Sequence, residues 1–254
     1  VSTTETVVIA AAAGEDRAPR GSASSHAPAP AGEPAHGPST VELRAAHIRG
    51  PRGPVCGPLT VTSRTPVTVV LGSRGSGRTS LLLAIAGRMQ LNGGSLATLG
   101  ATEPAEIRRL TGVVGFEAVD ALEPSVTLAA TLRERLGWAL PWYRRTPRIT
   151  PQLARELLAD AFGDLEQPDP ALLVRDLAPA EEMLVRVALA LIEQPRLLVV
   201  DDFDALRDPA DRVLVAERLS DLAQRGIRIV AATSDPGDAA LFAAAAPAPT
   251  LIEL

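Results

Sequence analysis

Two stretches of the chain carry reactive residue types at spacings that serve a known chemistry. The first is Gly72-Ser73-Arg74-Gly75-Ser76-Gly77-Arg78-Thr79-Ser80. Its glycines let the backbone curl until successive N–H groups point into one concavity, the geometry that cradles a phosphate. Thr79 is placed to put its hydroxyl on Mg2+ beside that phosphate. The second is Asp201-Asp202, two carboxylates closing the apolar run LLVV. A carboxylate at such a strand end holds the Mg2+ of a bound nucleotide, directly or through water. Glu117 and Ser234 also close apolar runs, TGVVGF and IRIVAAT. Thr79, Glu117, Asp201, Asp202 and Ser234 are therefore expected to converge on one phosphate site.

The elements that must position these residues alternate in type. VTVVL, a β-branched run, precedes the glycine loop, and LLLAIA continues it as a helix with no breaker until Gly87. Strand, glycine loop and helix in that order are the context a phosphate loop needs. VELRAAHI and PLTVTS read as strands separated by the turn-rich RGPRGPVCG, and LNGGSLATLG as a turn and strand. EPAEIRRL is a short helix, and a long helical region is expected from Pro124 to about Glu193. Thr127 and Thr150 suit helix N-caps, the second followed by Pro151 at the first helical position. Leu153, Leu157, Leu158 and Phe162 fall on one face of the second of these helices. DPADRVLVAERLSDLAQRG reads as an amphipathic helix with Val213, Val215, Leu219 and Leu222 inward, GDAALFAAAA as a helix and TLIEL as a terminal strand. Strands alternating with helices imply a parallel sheet covered on both faces, whose carboxyl ends share one edge.

Composition bounds the alternatives. The chain has 254 residues and a net charge of −5, and all 25 of its basic residues are Arg. An acidic balance offers no excess of cations for nucleic acid, which is not expected as a partner. Cys56 is the single cysteine, so an internal disulfide and a cysteine metal cluster are excluded, and His26, His36 and His47 lack metal-ligand spacing. No apolar run approaches the roughly 18 residues of a membrane span, and the N-terminus has no secretory pattern, so an intracellular protein is expected. Residues 1–39, rich in Ala, Pro, Gly and Ser, are expected to be a disordered tail. Arg133, Arg135, Arg144, Arg145 and Arg148 cluster with Trp138, Trp142 and Tyr143, which reads as a solvated face with anchoring aromatics.

Residues 40–254 resemble the ATP-binding subunit of ABC transporters. LGSRGSGRTSLLLAIAGRMQLNGGSLATLG is similar to that family's Walker A loop, first helix and next strand. VVGFEAVDALEPSVTLAATLRE is similar to its Q-loop and the start of its helical subdomain, here about 120–193. DLAPAEEMLVRVALALIEQPRLLVVDDFDAL is similar to signature loop, signature helix, Walker B and D-loop in succession. The fold this implies is an α/β P-loop NTPase with a mainly parallel sheet, an N-terminal antiparallel β portion and a helical insertion. The cofactors implied are ATP and Mg2+. Gly72, Ser73, Gly75, Ser76, Gly77, Arg78, Thr79 and Ser80 would hold the nucleotide, Thr79, Asp201 and Glu117 the metal, and Asp202, Glu117 and Ser234 the catalytic positions.

Several positions depart from the family pattern. Arg78 replaces its lysine, Glu117 its Q-loop glutamine, Asp202 its catalytic glutamate and Ser234 its switch histidine. Leu177-Ala178-Pro179-Ala180-Glu181 stands in place of LSGGQ, with no serine at Ala178 and no N–H at Pro179. No aromatic lies near Arg49 to Arg52 to stack an adenine, so Arg49 or Arg52 is the candidate there. The resemblance implies a subunit on the inner face of the membrane, paired with a separate permease and a second cassette, with slow hydrolysis. The alternatives are a nucleotide-binding regulatory or scaffolding module with little turnover, and a P-loop kinase unrelated to transport.

Overall fold

This computed structural model describes residues 39–51, 53–242 and 247–254. The tail expectation, His26, His36 and the Arg52 stacking candidate lie outside them. From the N-terminus, β1 (Val41–Gly50) and β2 (Gly53–Ser63) form an antiparallel hairpin, followed by β3 (Val67–Leu71), α1 (Arg78–Ile85) and β4 (Gly93–Thr98). Next come α2 (Pro104–Leu110), β5 (Thr111–Val114) and α3 (Glu117–Asp120). A helical segment follows, α4 (Leu128–Ala139), α5 (Pro151–Phe162) and α6 (Pro179–Leu191). The chain ends with β6 (Leu197–Val200), α7 (Pro209–Gln224), β7 (Arg228–Thr233), α8 (Asp238–Leu241) and β8 (Thr250–Glu253). The turn-rich stretch expected over 49–57 is shorter than its composition implies. β2 already begins at Gly53, and irregular register against β1 absorbs the surplus residues.

The strands build two sheets. One is antiparallel with order β2-β1-β4, the other parallel with order β5-β6-β7-β3-β8. Period-two alternation sends successive residues of the parallel strands to opposite faces. Val67, Val69, Leu198, Val200, Ile229 and Ala231 join the core beneath α5, α6 and α7. Val70, Leu197, Val199, Val230 and Ala232 join the core shared with α1 and the antiparallel sheet. Because both faces are buried, these strands read as continuous apolar runs.

Local signals in the helical segment hold. Thr127 Oγ1 accepts from the Ala130 N–H and Thr150 Oγ1 from the Leu153 N–H, both at 3.2 Å. The inward face of α5 is rotated from the expectation, with Ala154, Leu158, Ala161 and Phe162 buried and Leu153 only half so. In α7, Val213 is exposed rather than inward, and Ala216 and Ala223 take the buried stripe with Val215, Leu219 and Leu222. In both helices small alanines fill the close approach that the larger residues were expected to make. Trp138, Trp142 and Tyr143 are exposed, so this face is solvated as expected but its aromatics do not anchor it.

Candidate functional site

The site is built where β3 stops. The chain turns through Gly72–Gly77 and enters α1 at Arg78. Gly77 caps the helix at φ 92°, and a Cβ there would lie 2.5 Å from the Val55 carbonyl oxygen. β2 thus presses on the back of the loop, and a side chain at residue 77 would push the loop off it. α1 has no side-chain cap and no acid in its first turn. Its first N–H groups have no intrahelical acceptor and carry the positive end of the helix dipole. Arg74, Gly75, Gly77, Thr79 and Ser80 line an open cleft of about 880 Å³, whose far wall includes Phe116, Glu117, Asp201 and Asp202. Ser76 Oγ is buried in the loop without a hydrogen-bond partner, packed against the Gly72 backbone rather than on the cleft wall. Gly72 and Ser73 form the stem of the loop rather than its cleft wall, the Ser73 carbonyl accepting from the Ser76 N–H at 3.1 Å.

Across the cleft, β6 delivers Asp201, which is 5% exposed. Burial pushes its carboxyl above the usual aspartate range, opposed by hydrogen bonds from the Thr79 hydroxyl and the Asp202 N–H. The second of these is 2.9 Å long, to Oδ1. A hydroxyl and a buried carboxylate lining one cleft are the donor set a hard cation takes. The loop amides and this pair therefore fit a nucleotide phosphate with its Mg2+. Asp202 sits in the left-handed region at φ 51°, a conformation costing on the order of 1 kcal/mol. Phe203 behind it is fully buried against Phe242, at 5.4 Å between ring centroids, and anchors the segment.

Glu117 does not close a strand, as the sequence suggested. β5 ends at Val114, and Gly115 turns the chain at φ 81°, where a Cβ would lie 2.3 Å from the Asp201 carbonyl oxygen. Glu117 opens α3 instead and reaches the cleft wall from there, exposed. Asp120, at the end of α3, accepts from the Gly115 N–H at 2.7 Å and so fixes the bend. Ser234, at the end of β7, is not on the cleft wall. Its hydroxyl donates to Asp204 Oδ2. Arg49 lines a separate depression of about 550 Å³ with His47 and Cys56 and is not on the wall of the phosphate cleft.

The residue that sequence reasoning missed is Asp204. Arg78 aims its guanidinium at it, with Nη1 3.2 Å from Oδ1 and both side chains 9% exposed. Burial pushes the Asp204 carboxyl up, but the Ser234 hydroxyl and the Arg78 guanidinium together hold it below the usual range. The signal available was a third carboxylate in DDFD, spaced three residues from Asp201. Farther along the edge, α6 begins at Pro179. The Glu181 carboxylate accepts from the Ala178 N–H at 2.8 Å, and Glu182 adds a second acid to the first turn.

The model of the ABC transporter family matches residues 60–205. A phosphonates import ATP-binding protein of Rhodopseudomonas palustris is 31% identical over 185 residues, covering 68% of this chain and 64% of that protein. A Nod factor export ATP-binding protein of Rhizobium johnstonii is 31% identical over 165 residues, covering 65% of this chain and 51% of that one. The chain thus spans between half and two thirds of these curated relatives. Among solved structures, a dimeric bacterial ABC transporter cassette superposes with a TM-score of 0.61 at 18% identity, covering 79% of this chain and 90% of the other. That likeness fixes the fold as the α/β P-loop cassette expected from the sequence. With the family model matching more than half of its length, the chain belongs to the ABC transporter family.

Proposed function

We propose that this chain is the ATP-binding subunit of an ABC-type transport complex, binding Mg-ATP and hydrolysing it slowly. The observation that carries the reading is one cleft lined by the uncapped start of α1, with Thr79, and by the buried Asp201. In this reading the loop amides hold the phosphates, and Thr79, Asp201 and Glu117 hold Mg2+. The bound Mg-ATP supplies the phosphoanhydride bond and the metal charge that eases its cleavage. Asp202 would orient the attacking water. It is one methylene shorter than a glutamate and held in a left-handed backbone, so it meets that water less readily. A second cassette and a separate permease complete the assembly, at the inner face of a membrane. The relatives named for import and for export support this coupling in general without choosing a direction. No described helix is long and apolar enough to cross a membrane itself.

A second reading is favoured by the α6 terminus, where Glu181 takes the Ala178 N–H, Glu182 adds a further acid and Pro179 has no N–H. It makes the chain a nucleotide-binding regulatory module with little turnover. One comparison separates them: Mg-ATP binding and hydrolysis by the wild type and by the Arg78→Lys/Asp202→Glu variant. Clear wild-type hydrolysis supports the transport motor. Binding with hydrolysis gained only in the variant supports the regulatory module. No binding in either overturns the site.

A further inference from the structure

The cleft mouth is unusual in charge. Glu117, Asp201 and Asp202 line it together with Arg74 and Arg78, and Arg78 is already paired with a fourth carboxylate, Asp204. A polyphosphate entering here meets three carboxylates and Arg74, while the cation at the helix start is neutralised by its partner. The pairing is well sheltered, so its strength is little reduced by water or salt. Asp204 is itself held from the other side by the Ser234 hydroxyl. Three segments are thereby joined: the phosphate loop, the turn after β6 and the end of β7.

We propose that Asp204 is a positioning residue that latches the Arg78 guanidinium away from the phosphates, so that nucleotide binding must draw Arg78 off Asp204. The inference rests on the nucleotide reading of the cleft. An arginine fork donates from five N–H groups and accepts a new anionic partner readily, whereas the Asp204 carboxylate loses its charge partner when the fork leaves. The latch therefore lowers nucleotide affinity, and Ser234 compensates Asp204 when the latch opens.

The test is a double-mutant cycle on the full chain, with Mg-ATP affinity read by titration calorimetry. Asp204→Asn keeps the shape of the side chain and removes its charge. It should tighten Mg-ATP binding by about threefold or more, within the coupling range of residues in direct contact. Without nucleotide it should lower the melting temperature, because Arg78 is left buried and unpaired. In an Arg78→Gln background the same substitution should leave affinity unchanged. A gain of equal size in both backgrounds means simple removal of a nearby negative charge, and overturns the latch. Unchanged or weaker binding by Asp204→Asn overturns it as well. Should Asp204→Asn fail to fold, Ser234→Ala, which frees the same carboxylate from the other side, replaces it in the cycle. Coupling to Arg78 then supports the latch and additivity overturns it. Failure of the wild type and every variant to bind Mg-ATP sinks the nucleotide reading itself; wild-type binding without coupling sinks the latch alone.

Discussion

Two helix N-termini stand near the same sheet edge and are finished in opposite ways. α1 starts from a glycine in the left-handed region, with no capping side chain and no acid in its first turn. α6 starts with Pro179, which has no N–H, and folds the Glu181 carboxylate back onto the Ala178 N–H. The first leaves donors and a positive dipole end for an external anion. The second pairs only the Ala178 N–H with its own Glu181 and adds two negative charges in Glu181 and Glu182, which repel an anion. An anion site is made as much by what is left off a helix start as by what is placed there. α1 is therefore equipped to hold a phosphate and α6 is not, although the resemblance to the family gives both ends a nucleotide contact.

The largest way to break this contrast is at Gly77. With φ at 92° and the Val55 carbonyl oxygen 2.5 Å from where a Cβ would stand, Gly77→Val forces the loop off β2. The expected result is loss of Mg-ATP binding by more than about tenfold and of stability by about 2–3 kcal/mol, the sum of backbone strain and overpacking. Nucleotide titration and urea unfolding check the two parts. Undiminished affinity would mean that α1 is not the phosphate-holding end.

A second, smaller effect concerns the metal side of the α1 cleft. Burial raises the Asp201 carboxyl, so the folded protein binds this proton more tightly than the unfolded chain. Its ionised form opposes folding above the raised value, and the opposition eases as pH falls from there toward the ordinary aspartate range. Asp201→Asn removes that opposition. It should leave the nucleotide-free melting temperature equal or higher at neutral pH. The same substitution should abolish the Mg2+-dependent part of ATP affinity, about tenfold or more. In the wild type the Mg2+ benefit should fade as pH falls through the raised Asp201 value. A lower melting temperature together with an intact Mg2+ effect would remove Asp201 from the metal site.

The contrast also marks what was legible in the sequence. The phosphate loop was readable because its chemistry needs glycines, a hydroxyl and a preceding strand in fixed order, all within one local stretch. Asp201 was readable because a carboxylate closing LLVV contradicts the burial of its neighbours. The departures at Ala178 and Pro179 were equally visible, since proline removes a donor wherever it stands. Glu117 was misplaced because nothing in TGVVGFE shows that the chain must bend at Gly115 to clear the Asp201 carbonyl. The Arg78–Asp204–Ser234 cluster was invisible for a related reason: its members come from three separate segments, and only the sheet order brings them together. Within α5 and α7 the period was right but the phase was not. Small alanines set the closest helix contacts, and a search for large apolar residues passes over them.

The smallest effect sharpens the contrast from the α6 side. Ala178→Ser, Pro179→Gly and Glu181→Gln together restore a hydroxyl and an N–H and remove one charge from that helix start. Loss of the proline and of the charge-assisted bond to Ala178 is offset by the new serine cap at that position, so stability should change by less than about 1 kcal/mol. Affinity of the isolated chain for Mg-ATP should change by less than about twofold, because the α6 start lines an adjoining depression rather than the cleft itself and its charge is partly screened by solvent. What should change is self-association in Mg-ATP, measured by analytical ultracentrifugation. An opened α6 terminus offers an added hydroxyl and N–H, with one negative charge fewer, to a nucleotide held by a second copy. A large change in single-chain affinity without association would place the α6 terminus in the same nucleotide site as α1, and the two ends would then differ in degree rather than in kind.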